Sequence, residues 1–244
     1  MMKQCIVDII QNSPLTDTVY KMVLRGDTSA VTAPGQFVNV RLEGLYLRRP
    51  ISVCDKEGDR LTLIYKVVGK GTGQMSRMTG GQLDLLTGLG NGYDLSPAGD
   101  SPLLLGGGVG VPPLYWLAKE LVKKGKRVRA VLGFNTAAER FYEQEFRALG
   151  VDTAVATADG SYGVKGFVTD ALPADYSYVY TCGPEPMLKA VYRACATSGQ
   201  FSFEERMGCG FGACMGCSCR TVTGYKRICK EGPVLKKEEI LWEK

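Results

Sequence analysis

Histidine is absent from this 244-residue sequence. Its absence excludes Ser-His and Cys-His catalysis and every zinc site that uses an imidazole ligand. The sequence also lacks an apolar run of about 18 residues, the length that a membrane-spanning helix needs, so we expect no membrane segment. The first ten residues include Lys3 and Asp8 and have no unbroken apolar core, unlike a secretory signal. We therefore expect a cytoplasmic protein.

Clustered basic charge is also missing. The net charge is only +5, and no run of Lys and Arg indicates a nucleic-acid surface. A mildly positive chain suits an anionic cofactor or an acidic partner. Hydrophobic content of 45% and charged content of 23% are ordinary for a globular protein, and the length allows one large domain or two to three small ones.

Glycine and cysteine, in contrast, are plentiful. The 31 glycines concentrate in short loops, which indicates backbone that approaches phosphates closely. Of the nine cysteines, four lie in one tract near the C-terminus and a fifth closes it. In a chain without an export signal, such clustering indicates metal ligation rather than a disulfide framework.

The first part of the chain reads as short strands. Turn signals such as Pro34-Gly35 separate the β-rich runs, and no long helix interrupts them. This spacing predicts an antiparallel β-barrel over residues 1–98. The β-rich runs are residues 5–10, 19–24, 37–42, 51–53 and 61–68.

Beyond the boundary at 96–102, strands and helices alternate. Strands are expected at 103–105, 128–132, 153–156 and 178–181, with helices from Pro112 to Gly125, at 137–149, and from Pro186 to near Gly199. The alternation predicts a parallel, doubly wound α/β domain over residues 99–205. Residues 206–244 are too few for a core of their own and would need a metal to fold.

The cysteine tract carries the clearest motif. Four residues separate Cys209 from Cys214, two separate Cys214 from Cys217, and eleven separate Cys217 from Cys229. This is the spacing of a plant-type [2Fe–2S] cluster. Residues 221–227 read as a hairpin that returns Cys229 to the cluster. Cys219 is a rival fourth ligand, and structural zinc is an alternative because four thiolates suit it as well.

A second constellation is a glycine loop between a strand and a helix. Its glycines permit close backbone approach to a pyrophosphate, although the order differs from the strict dinucleotide fingerprint, and a tight turn remains an alternative. Cys182, Gly183 and Pro184 follow a neighbouring strand end, and Cys182 could border a nicotinamide or be an ordinary buried thiol. The loop glycines are Gly106, Gly107, Gly108 and Gly110.

A third constellation lies in the predicted barrel. Arg49, Pro50, Ile51 and Ser52 place a guanidinium and a hydroxyl on a stiff extended strand, and residues 65–67 lead into a glycine loop. Arginine binds phosphate with two hydrogen bonds, and a hydroxyl can bond a flavin ring. Composition alone would also allow a solvated strand and a surface turn.

In order and spacing, these motifs resemble the ferredoxin–NADP reductase superfamily, and within it the electron-transfer subunits of class B dihydroorotate dehydrogenases. The likeness covers the whole chain. Besides the cysteine tract, it rests on residues 49–52, 65–72, 88–93, 106–112, 157–163 and 182–184.

The resemblance implies roles for individual residues. It implies that Cys209, Cys214, Cys217 and Cys229 hold the cluster, and that the glycine loop with Cys182, Gly183 and Pro184 accepts NAD(H). Asp159 is implied at the ribose end of that nucleotide. The residues implied to hold FAD are Arg49, Pro50, Ile51, Ser52, Tyr65, Lys66, Val67, Gly71 and Thr72.

The resemblance also implies a mechanism and a partner. NADH and FAD would exchange a hydride, and the flavin would exchange single electrons with the cluster. The cluster would face an FMN-containing catalytic subunit that interconverts dihydroorotate and orotate, in a heterotetramer. No stretch of this chain could form that subunit's (β/α)8 barrel of about 250 residues.

Three other functions remain open. The chain could serve another NAD(P)H-linked complex, such as a ferredoxin–NADP transhydrogenase, a glutamate synthase-like or a sulfhydrogenase complex. Because transhydrogenase relatives tend to have aspartate as the first cluster ligand, Cys209 favours the dihydroorotate pathway. The others are a zinc-binding or redox-sensing module and a stand-alone monooxygenase reductase.

Overall fold

The computed structural model describes residues 1–242 of the chain. Along this range a closed barrel is followed by a sheet with helices on both faces, and then by the cysteine-rich segment, which adds a strand to that same sheet. The predicted fold class, an antiparallel barrel with a parallel, doubly wound sheet and a small C-terminal part, is confirmed. Among the described residues, no helix has the length and apolarity to span a membrane.

The barrel contains six strands in the order β1-β2-β5-β4-β3-β6, and every neighbouring pair is antiparallel. Alternate side chains point inward to a core that includes Met22, Leu63 and Leu85. A short helix, α1 (Lys70–Met75), follows β5. The strands are β1 (Lys3–Pro14), β2 (Val19–Arg25), β3 (Phe37–Val40), β4 (Arg49–Glu57), β5 (Arg60–Lys66) and β6 (Gln82–Leu89).

The sixth strand was not among the runs predicted from the sequence. Its buried residues alternate: Leu83 and Leu85 face the barrel core, Thr87 is also buried, and Leu89 is buried in a second core. The sequence obscures this alternation because Leu86 is apolar on the outer face. Leu86 packs against this second core, which the barrel shares with the cysteine-rich segment.

The sheet has seven strands in the order β10-β9-β8-β7-β11-β12-β15. All neighbouring strands are parallel except β15, which runs antiparallel to β12. The strands are β7 (Pro102–Gly107), β8 (Arg129–Phe134), β9 (Asp152–Thr157), β10 (Val164–Lys165), β11 (Tyr178–Cys182), β12 (Gly199–Ser202) and β15 (Val234–Lys236).

Helices cover both faces of this sheet. Leu104 lies in the core with α2 (Pro112–Lys123) and α3 (Glu143–Ala148), whereas Leu103 and Leu105 lie in the core with α4 (Glu185–Ala194). This alternation is why the central strand β7 is buried along its whole length.

The helix predicted over residues 137–149 is wrong in its first half. A 3-10 turn covers Ala137–Glu139, and α3 begins only at Glu143. Between them Tyr142 adopts a φ of 66°, which ends helical geometry. Its buried ring packs edge to face on Tyr115, 5.1 Å between centroids, so tertiary packing overrides the helical pattern.

The cysteine-rich segment contains the predicted hairpin. Strands β13 (Ser218–Thr221) and β14 (Gly224–Arg227) pair around a two-residue turn, and Cys229 lies two residues after β14. Because β15 then joins the sheet beside β12, the cysteine-rich segment contributes a strand to the sheet of residues 99–205. The predicted domain limits at 98 and 205 stay predictions.

Candidate redox site

Arg49 begins β4 and lies against the first turn of α1. A Cβ added at Gly71 would lie 2.4 Å from Arg49 Nε, so glycine is required there for the guanidinium to take this position. Arg49 Nη1 donates to the carbonyl of Leu47. The Thr72 hydroxyl accepts from the amide of Val68 (2.9 Å), which shapes the loop before α1. The structure therefore brings Arg49, Gly71 and Thr72 together.

Pro50 and Ser52 lie on the outer face of the barrel. Ile51 packs against the barrel core and stands opposite Val38, so its neighbours in β4 point the other way. Ser52 pairs with Phe37. The hydroxyl is thus available on the outer face for a ligand outside the barrel.

The side chain of Tyr65 is inside the barrel. Its ring is 2% exposed, its hydroxyl donates to Asn12 Oδ1 (3.0 Å), and burial raises its pKa to about 12. The amide of Val67 donates to Thr18 O (2.8 Å). Any contact that Tyr65 makes with a cofactor on the outer face would therefore come from its backbone. Lys66, the next residue, is half-buried at the end of β5.

The two loops predicted to bind the nucleotide, residues 106–110 and 182–184, meet where β7 and β11 end. They are called the nucleotide loops below. Cys182 and Gly106 are partners across these parallel strands. A Cβ at Gly110 would lie 2.3 Å from Cys182 O, and one at Gly183 would lie 3.2 Å from the Gly107 amide nitrogen. The two loops therefore pack backbone against backbone at Gly110, and Met187 covers Gly107 and Gly183, at the strand ends where open α/β sheets bind nucleotides.

Gly108 and Pro184 complete these loops. Gly108 has a φ of 52° with open space around it, and a Cβ at Gly107 would lie 3.3 Å from Pro184 Cδ. Burial raises the pKa of the Cys182 thiol to about 12, so at neutral pH this group is a protonated thiol rather than a nucleophile.

Asp159 lies beyond the end of β9, at the same edge of the sheet. Its carboxylate accepts from the Ser161 amide (2.9 Å) and hydroxyl (2.6 Å), and these bonds hold its pKa below the usual range. The Asp159 amide donates to Asn135 O (3.2 Å) after β8. An ionised carboxylate therefore stands at the sheet edge that carries the loops after β7 and β11, two strands away from β7.

The four predicted cluster ligands lie together as two pairs. The Cys209 amide donates to Cys214 Sγ (3.5 Å), and the Cys214 amide donates to Cys209 Sγ (3.4 Å). The Cys229 amide also donates to Cys217 Sγ (3.4 Å). Within residues 1–242, no three His, Cys, Asp or Glu side chains gather closely enough to hold a single ion. Two pairs of thiols suit two irons.

Backbone amides prepare the Cys209 sulfur for metal, whereas burial raises the pKa of Cys229 to about 12. Burial alone would raise the pKa of Cys209, but amides of Phe211, Cys214 and Ala213 outweigh it and lower the value to about 6. Ala213 N donates to Cys209 Sγ at 3.2 Å. A thiolate near neutral pH is the form that binds iron. Glycine keeps this loop tight, since a Cβ at Gly208 would lie 3.2 Å from Cys214 Sγ.

Cys219, the rival ligand, faces another part of the surface. It pairs with Lys226 in the hairpin and lines a cavity of about 130 Å³ with Leu188 and Trp242. Burial raises the pKa of its thiol.

Two residues that hold the cysteine loop in place, Asn39 from the barrel and Arg227 from within the cysteine-rich segment, escaped the sequence analysis as site residues. Asn39 Nδ2 donates to Cys209 O (3.2 Å), and Arg227 Nη1 donates to Gly212 O (2.7 Å) while pairing with Glu231. A signal for Asn39 existed: it is the single polar residue in the buried four-residue strand β3.

Comparison with known proteins agrees with this geometry. Residues 204–241 match a family model described as the iron-sulfur cluster binding domain of dihydroorotate dehydrogenase B, and residues 104–193 match an oxidoreductase NAD-binding domain. The chain is similar to proteins named dihydroorotate dehydrogenase B (NAD(+)), electron transfer subunit. The one from a Geobacillus species is 45% identical over 99% of this chain and 100% of the relative. This chain belongs to that family of electron-transfer subunits.

Other members extend the comparison. The subunit of Bacillus velezensis is 45% identical over 98% of this chain and 99% of its own. Among solved structures, that of an NADH-dependent reduced ferredoxin-NADP oxidoreductase superimposes with a TM-score of 0.88 at 29% identity, covering 98% of this chain and 90% of that chain. The matched domains and the reductase fold confirm the predicted cofactors, FAD, [2Fe–2S] and NAD(H).

The ferredoxin reductase of carbazole 1,9a-dioxygenase shares the fold alone. It is 22% identical with a TM-score of 0.70, covering 79% of this chain and 64% of that chain.

Proposed function

We propose that this chain passes electrons between NAD(H) and the FMN-containing catalytic subunit of dihydroorotate dehydrogenase, through FAD and one [2Fe–2S] cluster, in pyrimidine biosynthesis. Its relatives are named electron transfer subunits, which implies a second, catalytic subunit. We propose a heterotetramer of two subunits of each kind, located in the cytoplasm.

The placement of β4 between the other two sites carries this proposal. On one side, Lys119 of α2, the helix after the glycine loop, pairs with Asp55 of β4 (2.9 Å). On the other side, β3 pairs with β4 and bonds Cys209 through Asn39. A flavin held on β4 would therefore lie between the nucleotide loops and the cysteines, the order that a relay requires.

The residues present fit the two bound groups. Arg49, seated against Gly71, would hold the pyrophosphate of FAD, and the outward hydroxyl of Ser52 would meet the flavin ring. The paired thiols at Cys209 and Cys214 and at Cys217 and Cys229 would each hold one iron, and the amides that reach Cys209 would stabilise the negative charge of the sulfurs.

The nucleotide loops would bind NAD(H) and orient it. Gly107, Gly110 and Gly183 let the two loops pack closely, Gly108 leaves open space beside the backbone for the pyrophosphate, and Asp159 would accept from a ribose hydroxyl. When bound, FAD supplies the conversion between two-electron hydride transfer and one-electron transfer to the cluster. The neutral thiol of Cys182 would border the nicotinamide without competing as a nucleophile.

An absorption spectrum of the anaerobically purified chain, before and after NADH, tests the proposal. We expect flavin bands with a broad shoulder from about 400 to 600 nm, and NADH should bleach both. A colourless zinc protein, or cofactors untouched by NADH, would overturn the relay. Mixing the reduced chain with a dihydroorotate dehydrogenase catalytic subunit should then support NADH-dependent reduction of orotate.

A second candidate is a subunit of an NADH-dependent ferredoxin–NADP oxidoreductase complex. The whole-chain similarity to that structure favours it. Reduction of NADP+ by reduced ferredoxin together with NADH, in the presence of the corresponding partner subunit and with no coupling to orotate, would support this candidate instead.

A further inference from the structure

We infer that Asn39 is a positioning residue that fixes the first cluster cysteine relative to the flavin-binding strand. This inference rests on the proposed function, because it assumes FAD on β4 and a [2Fe–2S] cluster on the cysteines. Asn39 pairs with Pro50 of β4 and donates through Nδ2 to Cys209 O (3.2 Å). One side chain thus connects the backbones of the two sites.

The contact is specific to the residues that make it. Gly210 follows Cys209 with a φ of 74°, and a Cβ there would lie 2.0 Å from Asn39 Nδ2. The asparagine amide therefore occupies the space that any other residue at 210 would fill. Asn39 is 1% exposed, so water does not compete for its hydrogen bond.

The backbone of Asn39 is held on both sides. Strand β3 pairs with β4 and with β6, where Leu86 is the partner of Asn39. Pro50 has no amide to donate, and Asn39 O accepts from Arg48 Nη1 (3.4 Å), which also binds Asp84 Oδ1 (2.9 Å). A fixed backbone lets the short side chain define the position of the cysteine loop.

Barrel stability does not explain this asparagine. Asn39 Oδ1 is buried and has no hydrogen-bond partner among residues 1–242. Unsatisfied buried acceptors are costly, and asparagine is depleted in strands. Its neighbours in β3 are Phe37, Val38 and Val40. Asn39 is unfavourable for the barrel, but its side-chain amide bonds the cysteine loop. We therefore assign its role to that loop rather than to the barrel.

The test compares Asn39→Leu with Gln36→Leu. Gln36 is a matched buried amide just before β3, but it donates to Gly90 O (3.0 Å) and accepts from Thr32 N (2.8 Å), far along the chain from the cysteines. In Asn39→Leu we expect the cluster to bleach roughly tenfold faster in a chelator, as for lost partners of metal ligands. The electron paramagnetic resonance spectrum of the dithionite-reduced cluster should shift. In Gln36→Leu both should match the wild type.

A second pair of variants approaches the contact from the cysteine loop. Gly210→Ala drives a methyl group into Asn39, whereas the methyl group of Gly212→Ala meets the side chain of Lys230 instead. Both glycines have a positive φ, 74° at Gly210 and 90° at Gly212, so both variants strain the backbone. We therefore expect Gly210→Ala to disturb the resonance spectrum more, and it remains informative if Asn39→Leu fails to fold.

The outcomes separate the inference from the proposed function. A wild type that shows no [2Fe–2S] resonance after reduction would overturn the proposed function itself. A normal wild type with an unchanged spectrum and bleaching rate in Asn39→Leu would overturn only the role of Asn39. Equal effects of Asn39→Leu and Gln36→Leu would do the same, because they would mark a general loosening of the barrel.

Discussion

At the scale of single residues, the surroundings shift the pKa values of two cysteines of the site in opposite directions. Burial raises the pKa of Cys182 to about 12, while loop amides bring that of Cys209 to about 6. The difference follows from backbone direction: three amides converge on the Cys209 sulfur because glycines allow the loop to curl around it. One thiol is therefore suited to border a nucleotide and the other to bind iron.

In the barrel, the surroundings of Asp84 likewise set the pKa of its carboxyl group. Burial would raise the pKa of Asp84, but hydrogen bonds and charge from Arg48, at 2.9 and 3.1 Å, lower it below 3.8. A carboxyl whose pKa is lower in the folded state stabilises the fold above its unfolded pKa. That stabilisation is lost as the pH falls through the folded value.

We therefore predict that Asp84→Asn lowers the free energy of unfolding by about 2 kcal/mol at pH 7, the range for hydrogen bonds to charged groups. The difference from wild type should shrink below about pH 4. Urea unfolding at pH 7 and pH 3 measures it. Asp27→Asn is the control, because the pair of Asp27 with Lys3 is exposed and should contribute little. An equal loss at both pH values would contradict the prediction.

At the scale of elements, the glycine loop works by backbone contact with the loop after β11. We predict that Gly110→Ala, whose methyl group would lie 2.3 Å from Cys182 O, separates the two loops. The KM for NADH should rise at least about tenfold, as for a site displaced by an ångström or less. FAD content and the cluster spectrum should stay normal.

Gly125→Ala is the matched control for this variant. Gly125 ends α2 with a φ of 73° and has open space around it, so alanine there brings strain without a collision. It should lower the melting temperature slightly and leave the KM for NADH unchanged. If both variants raised the KM equally, loop contact would not be the cause.

Most of these strands and helices could be predicted from local sequence patterns. Alternation identified five barrel strands, and glycine and proline marked the limits of α2. Local pattern failed where distant contacts decide. Tyr142 breaks the expected helix because its ring packs on Tyr115, and β15 is a strand because β12 offers an edge. The cysteine spacing was informative because metal geometry is local, whereas the contact of Asn39 spans 170 residues.

At the scale of the molecule, the cysteine-rich segment packs against the rest of the chain. Strand β15 extends the sheet, Asn91 Nδ2 donates to Val234 O (2.7 Å), and the Trp242 ring packs 5.3 Å from that of Phe203. Contacts on the barrel and on the sheet hold the segment at both ends. The distances between the three proposed cofactor positions are therefore set by packing rather than by a linker.

Because packing fixes each site separately, we predict that electron transfer through the cluster can be removed while NADH still reduces the flavin. In Cys214→Ser, an exposed ligand is lost without opening a cavity. We expect the cluster to be missing, while FAD stays bound and NADH still reduces ferricyanide within about threefold of wild type, because Arg49 and the glycine loops are untouched. Coupling to the catalytic subunit should disappear.

Cys219→Ser is the control for this cut. Its thiol lies on the hairpin and lines the cavity beside Trp242, so the variant should keep the cluster, the ferricyanide activity and the coupling. Iron content, the visible spectrum and both activities distinguish the two variants. Loss of the cluster in Cys219→Ser would make Cys219 a ligand. If Cys214→Ser kept FAD but lost ferricyanide activity, electrons would leave the flavin only through the cluster. This result would contradict the prediction that the two electron-transfer steps can be separated.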